Sequence, residues 1–200
     1  MTTNKNDNCF TVIDTETNWN DKVMSIGIAI ADSITFELIE SKYYILTPEC
    51  DVHGMYSFAL NMEDPDLKSS REKVLFDILD TLYHYSVKSL FAYNANFDYR
   101  HLPELKGFQW FDIMKIAAYK QYNKAIPEDA ECCGTGRLKR NYKVGSIMKL
   151  LSGSRSYFEK HNALSDAIDE LEIIRLLGYP IERYVVAQIN AEKKAVNIHE

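Results

Sequence analysis

The sequence predicts an α/β domain in which helices pack against a mixed β-sheet. Three apolar runs near the start of the chain are rich in β-branched residues, and a short polar link joins the second run to the third. Later segments alternate between helix-like and strand-like spacing of apolar residues. A strand hairpin followed by alternating helices and strands is typical of a mixed sheet that is covered by helices.

Five segments have the composition and spacing of β-strands. The first, CFTVID, is an apolar run that ends in a carboxylate, and the second, VMSIGIAIA, is apolar almost throughout. The third segment roughly alternates between apolar and polar residues. The strands are predicted over residues 9–14, 23–31, 35–46, 89–94 and 107–113.

Helices are predicted where apolar residues recur every three or four positions. In the clearest of them, residues 163–177, Ala167, Leu171 and Ile174 share one face, and Gly178 follows as a stop signal. Residues 123–137 contain Pro, Gly and charges and are predicted to form a loop. Further helices are predicted over residues 66–84 with a start at Asp64-Pro65, in a short stretch that ends at Leu102, and over residues 114–122, 143–151 and about 181–196.

Length and composition predict one soluble domain over residues 1–200, with a core at about residues 9–178. A net charge of −6 argues against a protein that coats nucleic acid through charge alone. The four cysteines form no C-x-x-C pair, which favours free thiols in a reducing compartment. No apolar run approaches the length of a membrane-spanning helix, so we expect a cytoplasmic protein without a membrane partner.

Three groups of polar residues stand out along the chain. Asp14 and Glu16 follow the first strand and point to the same side, where they would repel unless a divalent cation accepts both. Asp98 follows the fourth strand, and His161 with Asp166 brackets the start of the clearest helix. Each group alone is better explained as a solvated strand end, a helix N-terminal acid or a polar helix face.

Together, the three groups form a specific pattern. Asp-x-Glu on the first strand, Asn-x-x-Phe-Asp after a later strand and His-x-Ala-x-x-Asp at the last long helix occur in this order. The pattern resembles the DEDDh branch of the DnaQ-like 3′–5′ exonucleases, over roughly residues 9–178. The resemblance implies an RNase H-like fold with a mixed five-stranded sheet and flanking helices.

The resemblance also implies roles for five residues. Asp14, Glu16, Asp98 and Asp166 would bind two divalent cations, Mg²⁺ or Mn²⁺, and His161 would be the general base. Oxygen ligands without cysteine suit these cations better than zinc. A pair of cations can clamp the scissile phosphate and activate water, and histidine can accept a proton near neutral pH.

Substrate contacts follow less firmly from the pattern. Thr17 and Asn94 match positions of the family that contact the terminal nucleotide or hold the site, and Asp112 matches a supporting acid. Trp19 stands where the family often has an aliphatic residue; its ring either stacks on the terminal base or caps the core. Tyr93 replaces the usual histidine before Asn94, and this departure affects substrate preference more than reaction type.

A basic stretch supplies candidate phosphate contacts. Arg137, Lys139, Arg140 and Lys143 lie close together in an otherwise acidic chain, with Tyr142 among them. Phosphates upstream of the scissile bond need cations, although a solvated basic loop would have the same composition.

The leading hypothesis is therefore a metal-dependent exonuclease that releases nucleoside 5′-monophosphates from the 3′ end of single-stranded DNA or RNA. One alternative is a nuclease subunit that is active only within a larger complex. Another is a non-catalytic nucleic-acid-binding module on the same fold. The sequence does not choose between DNA and RNA, nor between a monomer, a homodimer and a protein with another partner.

Overall fold

The computed structural model describes residues 8–191 and shows a mixed sheet of six strands flanked by helices. The strands are β1 (Cys9–Thr17), β2 (Val23–Asp32), β3 (Leu38–Leu46), β4 (Leu67–Ser69), β5 (Ser89–Ala92) and β6 (Gln109–Asp112). The α-helices are α1 (Arg71–His84), α2 (Asn96–His101), α3 (Ile113–Ala117), α4 (Val144–Ser152) and α5 (Ala163–Leu177). Short 3-10 helices cover Glu49–Asp51, Ser57–Ala59, Pro103–Leu105 and Ile181–Ala187.

The sheet has the strand order β4-β3-β2-β1-β5-β6. Strands β1, β2 and β3 pair in antiparallel fashion, as the predicted hairpin requires. Strand β5 pairs in parallel with both β1 and β6, and β4 pairs in parallel with β3. The predicted mixed sheet is confirmed, and its parallel half brings the carboxyl ends of β1, β5 and β6 to one edge.

The core has a layer on each face of the sheet. Phe10 and Val12 of β1 pack with residues of α4 and α5, whereas Ile13 packs with residues of α1. Because side chains alternate along a strand, Asp14 and Glu16 continue the row of Phe10 and Val12 on the α5 side. The buried row thus ends in two carboxylates beneath α5.

Strand β4, which was not predicted, corrects the prediction of a helix over residues 66–84. Leu67 lies in β4, which pairs with the end of β3, and α1 begins only after Ser70. The Asp66 carboxylate accepts a hydrogen bond from the Tyr43 amide at 2.7 Å, which holds this segment against β3. One apolar residue fits a strand as well as a helix, so spacing alone could not separate β4 from α1.

The C-terminal segment also differs from the predicted helix over about 181–196. The 3-10 helix ends at Ala187, and the Ile189 amide then donates to the Trp110 carbonyl oxygen at 2.9 Å. The Asn190 side chain accepts from the Trp110 amide at 2.9 Å, so the chain continues along the edge of β6. Residues 192–196 of the predicted helix lie outside the described residues.

Helix α3 is shorter than predicted. Helix α3 ends at Ala117 instead of residue 122, and the Asn123 side chain donates to the Ala117 carbonyl oxygen at 2.6 Å. Helices α4 and α5 lie within one residue of their predicted bounds. Among residues 8–191, no helix combines the length and apolar character needed to cross a membrane.

Candidate active site

Four acids meet at the carboxyl edge of the parallel strands. Asp14, Glu16, Asp98 and Asp166, here called the acidic cluster, come from β1, α2 and α5. Because β1 and β5 run parallel, the end of β1 and the turn after β5 lie side by side. Residues that are far apart in sequence are therefore brought together by the sheet topology.

Gly27 on β2 allows α5 to reach the sheet beside the cluster. It pairs with Asp14 in the antiparallel ladder of β1 and β2. A Cβ atom on Gly27 would lie 2.2 Å from the Ala163 carbonyl oxygen and 2.3 Å from the Leu164 amide nitrogen. The first turn of α5 thus fills the space above Gly27, and Asp166 in that turn lines the same cleft as Asp14.

Asp98 is the least exposed acid of the cluster. Its side chain is 2% exposed, and one carboxylate oxygen accepts a hydrogen bond from the Thr15 hydroxyl at 2.8 Å. Thr15 lies between Asp14 and Glu16 on β1, so its hydroxyl ties α2 to the strand that carries the other acids. The alternative interpretation of Asp98, a solvated acid at a helix N-terminus, is therefore inconsistent with its burial.

His161 is held in place from two directions. Its imidazole stacks on the Tyr56 ring, with centroids 4.1 Å apart and an angle of 13° between the planes. Its Nδ1 lies 3.8 Å from a Glu159 carboxylate oxygen. The backbone of His161 is left-handed (φ 56°), and the next residue, Asn162, caps α5 by accepting from the Ser165 amide at 3.2 Å.

The cleft around these residues has a volume of about 400 Å³. Ligand atoms of Glu16, His161 and Asp166 all lie within 4.8 Å of one another. An adjoining cleft of about 300 Å³ shares Asp14 and Glu16 and adds Asp98 to its lining. All five predicted catalytic residues therefore border one continuous pair of clefts.

Burial raises the pKa values of all four acids, and neighbouring carboxylates add to the rise for Asp14, Glu16 and Asp166. Burial, followed by the charges of Asp98 and Glu16, holds the pKa of Asp14 well above its ordinary value. Burial and the charge of Asp166 raise the pKa of Glu16 to about 8. Burial raises the pKa of Asp98 to about 7, and burial with the charge of Glu159 raises that of Asp166 to about 7. The protein alone thus lacks the positive charge that full ionisation of this cluster at neutral pH requires.

The donor set fits divalent cations. Asp14 Oδ2 and Asp166 Oδ1 are buried and accept no hydrogen bond from any residue in the described part of the chain. A buried polar atom without a partner is costly, and a cation would both satisfy these oxygens and neutralise the cluster. Clustered carboxylate oxygens are ligands of the kind that Mg²⁺ and Mn²⁺ prefer.

In the turn after β1, the side chain of Asn18 is buried and that of Trp19 is exposed. The Asn18 side chain is buried, donates to the Glu49 carbonyl oxygen at 2.9 Å and accepts from the Asn20 amide at 2.9 Å. Asn18 therefore shapes the turn. Trp19 is 67% exposed and lines the adjoining cleft with Thr17, so its ring does not cap the core.

The turn after β5 is held by carboxylates on both sides. Asn94, in the left-handed conformation (φ 63°), donates its amide to Asp112 Oδ1 at 2.9 Å and lines both clefts. Asp112 also accepts from the Met114 amide at 3.0 Å, so it supports the turn while capping α3. The Tyr93 amide donates to Glu170 Oε2 at 2.9 Å.

Three residues of this site were not predicted. Glu170 is 2% exposed and lines the cleft. Its position four residues after Asp166 puts it on the same face of α5, and this spacing was the available signal. Tyr56 and Glu159 also line the cleft, but no sequence pattern marks a residue whose role depends on contact with His161.

The structure brings only part of the basic stretch to the cleft. Arg137 and Lys143 line it, and the Arg137 guanidinium lies 4.4 Å from the centroid of the Tyr142 ring. Arg140 instead lines a neighbouring groove, and Lys139 lines neither of the two clefts. The four predicted cations therefore divide into two at the cleft, Arg137 and Lys143, and two outside it, Lys139 and Arg140.

No family model and no curated protein sequence matches the chain. Solved structures do match. The nuclease domain of 3′hExo, a DEDDh family member bound to rAMP, gives a TM-score of 0.59 at 16% identity, covering 86% of this chain and 92% of that chain. A 3′-exonuclease that recognises the 3′ end of a histone mRNA stem-loop gives 0.61 at 15% identity, covering 90% and 68%.

Exonuclease I of E. coli in complex with single-stranded DNA gives a TM-score of 0.56 at 14% identity. The match covers 89% of this chain but 42% of exonuclease I. These likenesses establish the fold: the chain has the DnaQ-like fold of the DEDDh 3′ exonucleases. The predicted RNase H-like architecture is confirmed, with a sixth short strand at its edge.

Proposed function

We propose that the chain is a metal-dependent 3′–5′ exonuclease that hydrolyses single-stranded DNA or RNA and releases nucleoside 5′-monophosphates. The observation that carries the proposal is the convergence of the acidic cluster and His161 on one cleft. Four acids and a histidine meet there, although burial of the acids and the charges of their carboxylate neighbours disfavour full ionisation of the cluster without a counter-charge. Such an arrangement is typical of a functional site.

The acidic cluster is proposed to hold two divalent cations. Asp14, whose buried Oδ2 has no hydrogen-bond partner among residues 8–191, would contact both; Glu16 and Asp166 would complete one site and Asp98 the other. When bound, such cations neutralise the phosphate and lower the pKa of an attacking water. The chain's own contribution is to fix the acids, since the Thr15 hydroxyl holds Asp98 and the packing at Gly27 places Asp166.

His161 is proposed to take the proton from the attacking water. Its ring is half-exposed at the cleft and lies close to Glu16 and Asp166. Stacking on Tyr56 fixes the plane of the imidazole, and Glu159 lies on its Nδ1 side. With Nδ1 oriented in this way, Nε2 is the nitrogen that remains to accept the proton.

A single strand is the substrate that the surroundings of the site support. The exposed Trp19 ring beside Thr17 offers a stacking surface for an unpaired base, and Arg137 offers a cation to a phosphate. Asn94 presents its side chain where the two clefts meet. The single strand bound to exonuclease I is a ligand of this class, and the rAMP bound to 3′hExo is a nucleotide of the kind proposed as the product.

The test is cleavage of a 5′-labelled single strand in Mg²⁺ or Mn²⁺. The wild-type protein should shorten the strand from its 3′ end, and Asp14→Ala should reduce cleavage to background while the protein stays folded. Asp80→Ala is the matched control. Asp80 is exposed on α1, so this variant should cleave the strand as the wild type does. Folded wild-type protein without activity in either metal, or full activity of Asp14→Ala, would reject the proposal.

A further inference from the structure

A second concave surface lies beside the catalytic cleft. This groove has a volume of about 700 Å³, compared with about 400 Å³ for the cleft. Leu138 and Leu150 supply apolar lining, and polar groups come from Arg140, Ser146 and Lys149. Of its lining residues, Arg140 is the one that the sequence predicts to contact phosphate.

The cleft and the groove share a wall. Within residues 137–143, Arg137 and Lys143 line the cleft, whereas Arg140 lines the groove. Helix α4 is divided in the same way, with Val144 at the cleft and Lys149 at the groove. A strand that leaves the cleft past Lys143 therefore needs to cross only this one segment to enter the groove.

The charge of the groove suits a polyanion. Arg140 and Lys149 are both exposed, and neither forms an ion pair with any residue between 8 and 191. Glu131 is the one acid in the lining. In a chain with 29 acidic and 23 basic residues, two unpaired cations on one concave surface are a local reversal of the overall charge.

We propose that this groove binds the sugar-phosphate backbone of the nucleic-acid strand, several nucleotides upstream of the scissile bond. Arg140 and Lys149 would contact phosphates as cations, and Asn141 and Ser146 would add hydrogen bonds. The proposal rests on the proposed exonuclease function for the position of the 3′ end. Contacts to phosphates do not read sequence, so the groove would favour longer strands of any sequence.

The experiment compares two single strands. One of about three nucleotides is short enough to stay in the cleft, and one of about twelve nucleotides is long enough to reach the groove. Each carries a 5′ fluorophore and a phosphorothioate 3′ end that resists cleavage, and binding is followed by anisotropy at several salt concentrations. The variants are Arg140→Ala and Lys149→Ala. Lys88→Ala is the control, because Lys88 is an exposed lysine before β5, at the opposite end of that strand from Asn94.

We expect Arg140→Ala and Lys149→Ala to weaken binding of the long strand by about three- to tenfold and to lower its salt slope by about 1. Binding of the short strand should change less than twofold, and Lys88→Ala should leave both strands unchanged. An equal loss for both lengths, or a long-strand loss no larger than that of Lys88→Ala, would overturn the proposal. If the wild-type protein cleaves nothing, yet Arg140→Ala and Lys149→Ala still weaken binding of the long strand alone, the exonuclease function fails and the groove assignment stands.

Discussion

The Tyr93 amide donates a hydrogen bond to the buried carboxylate of Glu170 at 2.9 Å, and this contact ties α5 to the turn after β5. The next amide, that of Asn94, donates to Asp112 at 2.9 Å. Two carboxylates, one from α5 and one at the end of β6, thus hold consecutive amides of the turn that leads to Asp98. Glu170 and Asp112 thus position Asp98, a proposed cation ligand, without being proposed as ligands themselves.

Replacing Glu170 should therefore affect turnover through position. Burial and the charges of Asp14 and Asp98 hold the pKa of Glu170 well above its ordinary value, so its neutral form is favoured. Glu170→Gln keeps an oxygen acceptor for the Tyr93 amide and should stay within about threefold of wild-type kcat, whereas Glu170→Leu should lower kcat by roughly ten- to a hundredfold. Steady-state kinetics with kcat and KM measured separately checks this. Equal losses for Gln and Leu would show that the hydrogen bond is not what matters.

The close approach at Gly27 predicts a stability effect. A Cβ atom there meets the backbone of Ala163 at 2.2 Å, and backbone cannot move aside as a flexible side chain can. Gly27→Ala should lower the free energy of unfolding by about 1–3 kcal/mol, or prevent folding, and should displace Asp166. Gly107→Ala is the matched control, because a Cβ atom at Gly107 meets nothing within 4 Å. Urea denaturation of the two variants compares them, and equal stabilities would contradict the packing described for α5.

The raised pKa values predict how stability changes with pH when no cation is bound. Folding raises the pKa of Glu16 to about 8 and those of Asp98 and Asp166 to about 7, above the ordinary values that the unfolded chain retains. Between those values the folded state binds more protons than the unfolded state, so stability is fully present at acidic pH and falls as pH rises towards 8. Thermal melts in EDTA should show this fall, and Mn²⁺ should reverse it at about pH 8 far more than at about pH 5. A melting temperature in EDTA that rises from acidic to mildly basic pH would contradict the raised pKa values of the cluster.

The stack of Tyr56 on His161 predicts a role for an aromatic ring. Tyr56→Phe keeps the ring and should retain wild-type kcat, whereas Tyr56→Ala removes the surface that fixes the imidazole plane and should lower kcat by roughly ten- to a hundredfold. Tyr83→Ala, at an exposed tyrosine on α1, controls for the loss of an aromatic side chain. If Tyr56→Ala changed KM alone, Tyr56 would be a substrate contact and not a support for His161.

Much of the fold could be predicted from apolar spacing and stop signals. Helix α5 begins and ends where the pattern and Gly178 place it, and the hairpin of β2 and β3 follows from its short link. Strand β4 could not be predicted, because three residues carry too little periodicity and its pairing depends on β3. The segment after Ala187 likewise follows β6 through contacts with Trp110 that no local pattern encodes.

The candidate site shows the same division. Five candidates could be named because their types and order form a specific pattern, and the structure brings all five to adjoining clefts: Asp14, Glu16, Asp98, Asp166 and His161. Residues whose role is to hold others could not be found in this way. Glu170 looks like its solvated neighbours until the turn after β5 is seen packed against it, and Arg140 looks like Arg137 until the wall between cleft and groove separates them.

The role assigned to the acidic cluster is tested by calorimetric titration of Mn²⁺ into the isolated protein at neutral pH. We expect two cations per chain for the wild-type protein, and loss of at least one of them in Asp14→Asn, since Asp14 is proposed to contact both. Asp80→Asn should bind as the wild type does. No Mn²⁺ binding by folded wild-type protein, or an unchanged stoichiometry in Asp14→Asn, would show that these four acids are not the cation-binding centre of a nuclease.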